Sequence, residues 1–315
     1  MNVKISSNHT AFLHVDIDSP VTLLRFWGCA PAEDEVRLLD RFYNIAMSRA
    51  LDFFEENSVP ATFFCVGHEL QRSGAASKWI KKAFDSGHEI ANHTHSHSFK
   101  FGALLPEARR SEISQCSEVI ERLIGRKPLG FRAPSYQVTS DLIDLLESMD
   151  FQYDCSAFFS SLNFLLDLYH RSRRKSDAEN GFKGSMAAPP ANAYFPSRKN
   201  FYSIGEPRRV MEIPMPRNGF FNFPFYNNFH LSAGELYRKI DLYMMRQRHL
   251  PYLFHLIEFC DLSDPIPRSL KVHPNVSISA IKKINAMRDS IAILKKRYRI
   301  MRTDNFVLRM KSGEE

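Results

Sequence analysis

The sequence predicts an α/β fold of parallel strands joined by crossover helices, on the scale of a barrel. Three observations carry this. Short apolar stretches and stretches of helical period follow one another as β, α, β, α, β, α, β, α, β through the first half of the chain, and such alternation places strands in parallel with helices packed across them. The length, 315 residues, suits one barrel-sized domain. Asp16, Asp18, His93, His97, Arg132 and Asp154 all fall at the ends of expected strands, and in such folds chemistry gathers at the carboxyl ends.

The first expected strand covers residues 11–15 and ends at Asp16 and Asp18. Residues two apart on a strand share a face, so both carboxylates can reach one pocket. Residues 20–34 read as a loop. Residues 41–57 read as a helix, with Phe42, Ile45, Ala46, Ala50, Phe53 and Phe54 on one face. Residues 61–66 form a continuous apolar run, as in a strand buried on both faces, and Gly67 is expected to close it. A helix over residues 77–84 follows.

The stretch His88-Glu89-Ile90-Ala91-Asn92-His93-Thr94-His95-Ser96-His97 comes next. It reads as a short strand running into a cluster of imidazoles. His93 and His97 are four apart and can meet at one metal ion, with His95 pointing elsewhere. A catalytic divalent ion usually has three protein ligands and an open position, so the third is expected from the aspartate pair. In isolation, two histidines four apart also fit a solvated turn, and Asp-x-Asp fits a strand end or helix cap. His14, His88 and His95 are expected to be bystanders.

Residues 106–124 form the clearest helix, with Pro106 in its first turn and Gly125 after its end. A strand over 129–132 enters the Pro134-Ser135-Tyr136 turn. A helix over 140–149 and a strand over 151–154 follow. Residues 160–231 break the rhythm with Pro, Gly, Asn and aromatics. One strand is expected there, over 210–213. Leu162, Phe164, Leu165, Leu166, Leu168 and Tyr169 precede Arg171, Arg173, Arg174 and Lys175. This pattern fits a membrane-surface helix with a basic end or a core helix with a solvated tail. The run Phe220 to Tyr226 fits a substrate groove or a plug of the barrel mouth. Ser232 to Glu235 reads as a capping box opening a helix through Arg248. A strand over 251–257 carries His255, with Glu258 beyond it. A helix over 277–297 and a strand over 298–301 bring the total to about eight strands.

Net charge is +7, with 26 Phe and five cysteines. The charge admits anionic partners, but no motif supports nucleic acid, and the basic residues form no stripe interleaved with aromatics. The scattered cysteines read as reduced core thiols. Residues 1–10 carry no secretory signal and no run has transmembrane length. The expected location is therefore cytoplasmic, with contact at the inner membrane surface left open.

With the motifs in order, the chain resembles the NodB-homology polysaccharide deacetylases, carbohydrate esterase family four. Five blocks carry the resemblance: Asp16-Ile17-Asp18; Asn92-His93-Thr94-His95-Ser96-His97; Phe131-Arg132-Ala133-Pro134-Ser135-Tyr136; Tyr153-Asp154-Cys155-Ser156; and Leu253-Phe254-His255. It implies a distorted (β/α) barrel of about seven or eight strands, one domain over residues 1–315 with an irregular insertion at about 160–231. It also implies metal-dependent removal of an N-acetyl or N-formyl group from an amino sugar. Asp18, His93 and His97 would hold one divalent ion, most often zinc. Asp16 would be the base, with Arg132 holding it ionised. The backbone N–H near Ser135 would face the oxyanion, with Tyr136 at the substrate, and Glu258 reads either as a rim group for substrate or as a group supporting the site from behind. His255 would protonate the leaving amine, with Asp154 a candidate to hold it. The Asp-x-Asp spacing and the Glu three residues after His255 lean toward intracellular members acting on small or polyprenyl-linked sugars. A non-sugar amidase and a silent glycan-binding barrel remain alternatives.

Overall fold

The structure, a computed structural model, describes residues 9–31, 34–162, 188–218 and 221–313. Its strands are β1 (Thr10–Asp16), β2 (Thr62–Cys65), β3 (Glu89–Asn92), β4 (Gly130–Phe131), β5 (Tyr153–Asp154), β6 (Met211–Glu212), β7 (His249–His255) and β8 (Arg299–Ile300). Seven lie edge to edge in the order β6-β5-β4-β3-β2-β1-β7, and β8 pairs with the start of β1. Every one of these pairings is parallel. The sheet curls into an open half-barrel.

The helices are α1 (Pro20–Phe26), α2 (Glu35–Glu56), α3 (Gly67–Arg72), α4 (Gly74–Asp85), α5 (Pro106–Ile124), α6 (Leu142–Ser148), α7 (Asn227–Ala233), α8 (Glu235–Met244), α9 (Ala280–Lys295) and α10 (Thr303–Ser312). All seven residues of β1 are buried, which a parallel strand covered on both faces demands. Leu13 and Val15 join the core beneath the outer helices. Phe12 faces the other way, into the barrel, with Phe64, Ala91, Tyr153 and Met211. α10 fills the barrel floor: Phe306 lies 4.9 Å from Phe12 and 4.8 Å from His249, ring centre to ring centre.

Several local expectations are corrected. Residues 20–26 are helical, because Ser19 caps the first turn by accepting the Thr22 N–H and Pro20 presets the backbone. Gly67 lies past the end of β2, as expected, and also opens α3, a helix not expected from the sequence. A side chain there would meet His95 and the Cys116 backbone within 3 Å, so only glycine lets α3 approach α5 and the histidine loop. The capping box at Ser232 does not form: Gly234, at φ 93°, separates α7 from α8, and the Ser232 hydroxyl donates to the Asn228 carbonyl. α10 was not foreseen. Of the amphipathic stretch from Leu162, residues 163–175 lie outside the described residues, as does Phe220. The five cysteines are free, four of them buried. Among the described residues no helix is long and apolar enough to cross a membrane.

Candidate metal centre and active site

The carboxyl edge of the sheet positions the site. Asp16 is the last residue of β1 and lies in register with His255, the last of β7. His93 and Arg132 are the first residues beyond β3 and β4. Their N–H groups extend the ladder to the Cys65 and Asn92 carbonyls. The Asn92 side chain then shapes the histidine loop. Its amide donates to the Ile113 carbonyl and Ser117, and its oxygen accepts the Thr94 N–H. Thr94 and His97 both take positive φ, 65° and 50°, so the loop folds back and brings His97 beside His93. The two rings sit 4.8 Å apart.

One ligand atom from each of Asp18, His93 and His97 fits within a 4.8 Å cluster. Asp18 Oδ1 lies 3.2 Å from His97 Nε2 and 3.9 Å from His93 Nε2. His93 Nδ1 lies 2.8 Å from the Arg132 carbonyl. A carbonyl only accepts, so Nδ1 carries the proton and the Nε2 lone pair faces Asp18, as a metal ligand requires. Burial lowers both imidazoles to about 4 and keeps them neutral. Burial raises the Asp18 carboxyl, and its Oδ1 is buried without a hydrogen bond. Two neutral nitrogens and one orphaned carboxylate oxygen fit a divalent cation of the zinc type.

Arg132 is fully buried and donates from Nη1 to Asp16 Oδ1 at 2.5 Å. Burial alone would raise the Asp16 carboxyl. The charge of Arg132, helped by His93 and His255, outweighs it and holds the group below its usual value. Ser135 and Tyr136 both take positive φ, 51° and 57°, and line the cleft. Two consecutive non-glycine residues in this region form a strained turn of the kind found at functional sites. Tyr136 stacks on Phe158 at 4.8 Å.

His255 is held by Glu258, whose Oε1 lies 3.3 Å from Nδ1. The other Glu258 oxygen accepts from Asn227 at 2.6 Å. Burial would lower the His255 imidazole, but Glu258 and the Asp16 and Asp18 charges raise it to about 9. Glu258 itself is buried, so it orients His255 and is not a rim group for substrate. Asp154 does not hold His255. Its Oδ1 accepts from Ser156 at 2.5 Å, and burial beside Glu212 raises both carboxyls. Two carboxyls so close cannot both ionise. The 3.3 Å contact sits at spacing i, i+3, a signal present in the sequence at His255 and Glu258.

Asp16, Asp18, His93, His97, Arg132, Ser135, Tyr136 and His255 line one cleft of about 160 Å³. Trp27, Phe99, Phe158 and Tyr226 form its apolar walls. The molecule is thus a parallel half-barrel with a carboxylate–imidazole cluster at its carboxyl edge.

Residues 38–153 match the family model "Polysaccharide deacetylase", and the chain resembles that family. A peptidoglycan deacetylase-like protein of Gibberella zeae is 34% identical over 122 residues, covering 36% of this chain and 35% of its own length. The peptidoglycan deacetylase of Helicobacter pylori is 28% identical over 142 residues, covering 45% and 47%. The chain thus aligns with less than half the length of these relatives. A Mycobacterium smegmatis structure described as a polysaccharide deacetylase superposes with TM-score 0.60 at 16% identity, covering 99% of this chain and 94% of that one. It shares the fold.

Proposed function

We propose that the protein is a metal-dependent N-deacylase that removes an acetyl or formyl group from an N-acylated amino sugar. The observation that carries this reading is the facing pair Asp16 and His255, one carboxyl held low and one imidazole held high, in the cleft that also contains Asp18, His93 and His97. Two groups whose environments push their protonation apart suit paired base and acid roles. The similarity to named peptidoglycan deacetylases supports the substrate class.

A divalent ion held by Asp18, His93 and His97 would supply the Lewis acid that polarises the amide and acidifies water. Asp16 takes the proton from the attacking water, and Arg132 keeps it ionised for that task. The backbone N–H at the Ser135 turn faces the developing oxyanion. His255, held by Glu258, gives its proton to the amine nitrogen, which is a poor leaving group until protonated. Tyr136 and Phe158 offer a stacked aromatic wall for the sugar ring.

The test pairs metal analysis with amine release from N-acetyl and N-formyl amino sugars, free and polyprenyl-linked, for wild type and Asp16→Asn. One ion per chain in both proteins, with amine release from wild type alone, supports the reading and names the acyl group. Metal retained without turnover on any sugar transfers the chemistry to a non-sugar amide. No metal and no turnover in metal-replete buffer rejects an enzyme.

A further inference from the structure

A row of polar side chains crosses the barrel interior beneath Asp16. His14, Thr62 and Glu89 stand in register on β1, β2 and β3, two residues below Asp16, Phe64 and Ala91. All three are buried. Arg132 Nη2 lies 2.6 Å from His14 Nδ1, and His14 Nε2 lies 2.9 Å from the hydroxyl of Thr303, the first residue of α10. Thr303 and Thr62 share a 2.9 Å contact, and Thr62 donates to Glu89 Oε2 at 2.8 Å. Glu89 also accepts from the Tyr153 hydroxyl at 2.7 Å and the Asp304 N–H at 3.0 Å.

The direction of this chain follows from donor counts. A guanidinium has donors and no acceptor, so His14 Nδ1 accepts and Nε2 carries the imidazole proton. That proton points at Thr303 Oγ. With Glu89 ionised, Thr62 directs its single hydroxyl proton to it, so Thr303 donates across the Thr303–Thr62 contact. The order is Arg132 → His14 → Thr303 → Thr62 → Glu89. A neutral His14 agrees with its burial and with the Arg132 charge beside it, both of which lower its pKa.

Arg132 is tied at three atoms: Nη1 to Asp16, Nε to the Cys155 carbonyl at 3.2 Å, and Nη2 to His14. The first is the working contact and the other two fix the plane of the guanidinium. We propose that His14 is a positioning residue for Arg132, and that Thr303 holds its imidazole in the Nε2–H tautomer the guanidinium needs. The floor helix α10 is thereby part of the machinery that orients Asp16, although Thr303 lies far from it in sequence. The effect on turnover rests on the deacylase reading; the tautomer does not.

The experiment uses the full chain, labelled with ¹⁵N at histidine. The imidazole nitrogens of His14 are expected to show Nε2 protonated and Nδ1 bare from pH 6 to 8. A protonated Nδ1 overturns the proposal whether or not the protein turns over any substrate. Thr303→Val removes the hydroxyl at constant shape. It is expected to lower kcat by about tenfold, the lower end of effects of supporting shells, with KM and bound metal per chain unchanged. Thr303→Ser restores the hydroxyl and is expected to recover most of the kcat lost in Thr303→Val. Wild-type kcat in Thr303→Val, or an equal loss in Thr303→Ser, overturns the positioning role. A wild type inert on every amide rejects the deacylase reading and leaves the tautomer measurement to decide this one.

Discussion

Asp16 and His255 are register partners at the ends of adjacent parallel strands, β1 and β7. They lie far apart in the sequence, yet strand pairing sets them side by side on one rim of the cleft. Arg132 lowers the carboxyl and Glu258 raises the imidazole. The pair therefore holds opposite protonation states at neutral pH without shared ligands.

Glu258→Gln tests the imidazole side. Burial alone lowers His255, and Glu258 is the largest contribution raising it to about 9. Without the carboxylate, the His255 pKa is expected to fall toward or below the usual imidazole range. Histidine-detected NMR of the wild type and variant reads the shift directly. On the proposed reading kcat falls by roughly 10²-fold, the scale of a misplaced general acid.

Arg132→Met tests the carboxylate side. It leaves Asp16 buried without its guanidinium, a loss of about 3–5 kcal/mol where one partner of a buried pair is removed. Asp16 is held below its unfolded value in the wild type. Its contribution to stability is therefore present above the unfolded pKa and is lost as pH falls through the folded one. The variant is expected to lose that contribution, so its deficit in urea unfolding is largest at neutral pH and narrows in acid.

Chelation tests the ligand cluster. An ion bound by the native state alone stabilises by about 2.7 kcal/mol at one hundred times its Kd. Adding zinc to stripped protein is expected to raise Tm, and His97→Ala to abolish the rise. A wild type whose Tm ignores every divalent ion removes the metal reading of Asp18, His93 and His97.

Glu212→Gln tests the second buried acid pair. Burial and Asp154 raise Glu212 well above its usual value, so its stabilising contribution is fully present below the unfolded pKa and is lost as pH rises through the folded one. Gln mimics the protonated acid: its amide can donate to Asp154 while its oxygen keeps the Ala157 N–H. The variant is expected to lose less stability than wild type between pH 5 and 8, as read by urea midpoints.

The alternation of elements, the α5 boundaries at Pro106 and Gly125, and the His93–His97 pair were legible in the sequence. Each rests on a local signal: an apolar period, a terminating glycine, or ligand types at close spacing. Asp18 was chosen over Asp16 as the third ligand only through the family resemblance. His255 became legible only through its motif, because a lone histidine on an apolar strand carries no local sign of chemistry. α1 escaped because a helix of two turns has too short a period to register against a loop rich in polar and aromatic residues.

The sequence by itself determined that strands alternate with helices and so run parallel, and it placed Asp16, Asp18, His93, His97 and Arg132 at strand ends, because these follow from patterns of apolar residues along the chain. It set His255 inside a strand over 251–257, whereas β7 ends at that residue. Only the tertiary structure decided who partners whom. Glu258, and not Asp154, holds His255, because Asp154 follows the barrel-facing Tyr153 on β5 and so turns to the opposite face, beside Glu212. His14 is tied to Arg132 and Thr303, because strand register and the floor helix set a polar row beneath Asp16. The two contacts of His14 join residues 118 and 289 positions apart. Their geometry is fixed by the curl of the sheet and the packing of α10 against it, and no local pattern encodes either one.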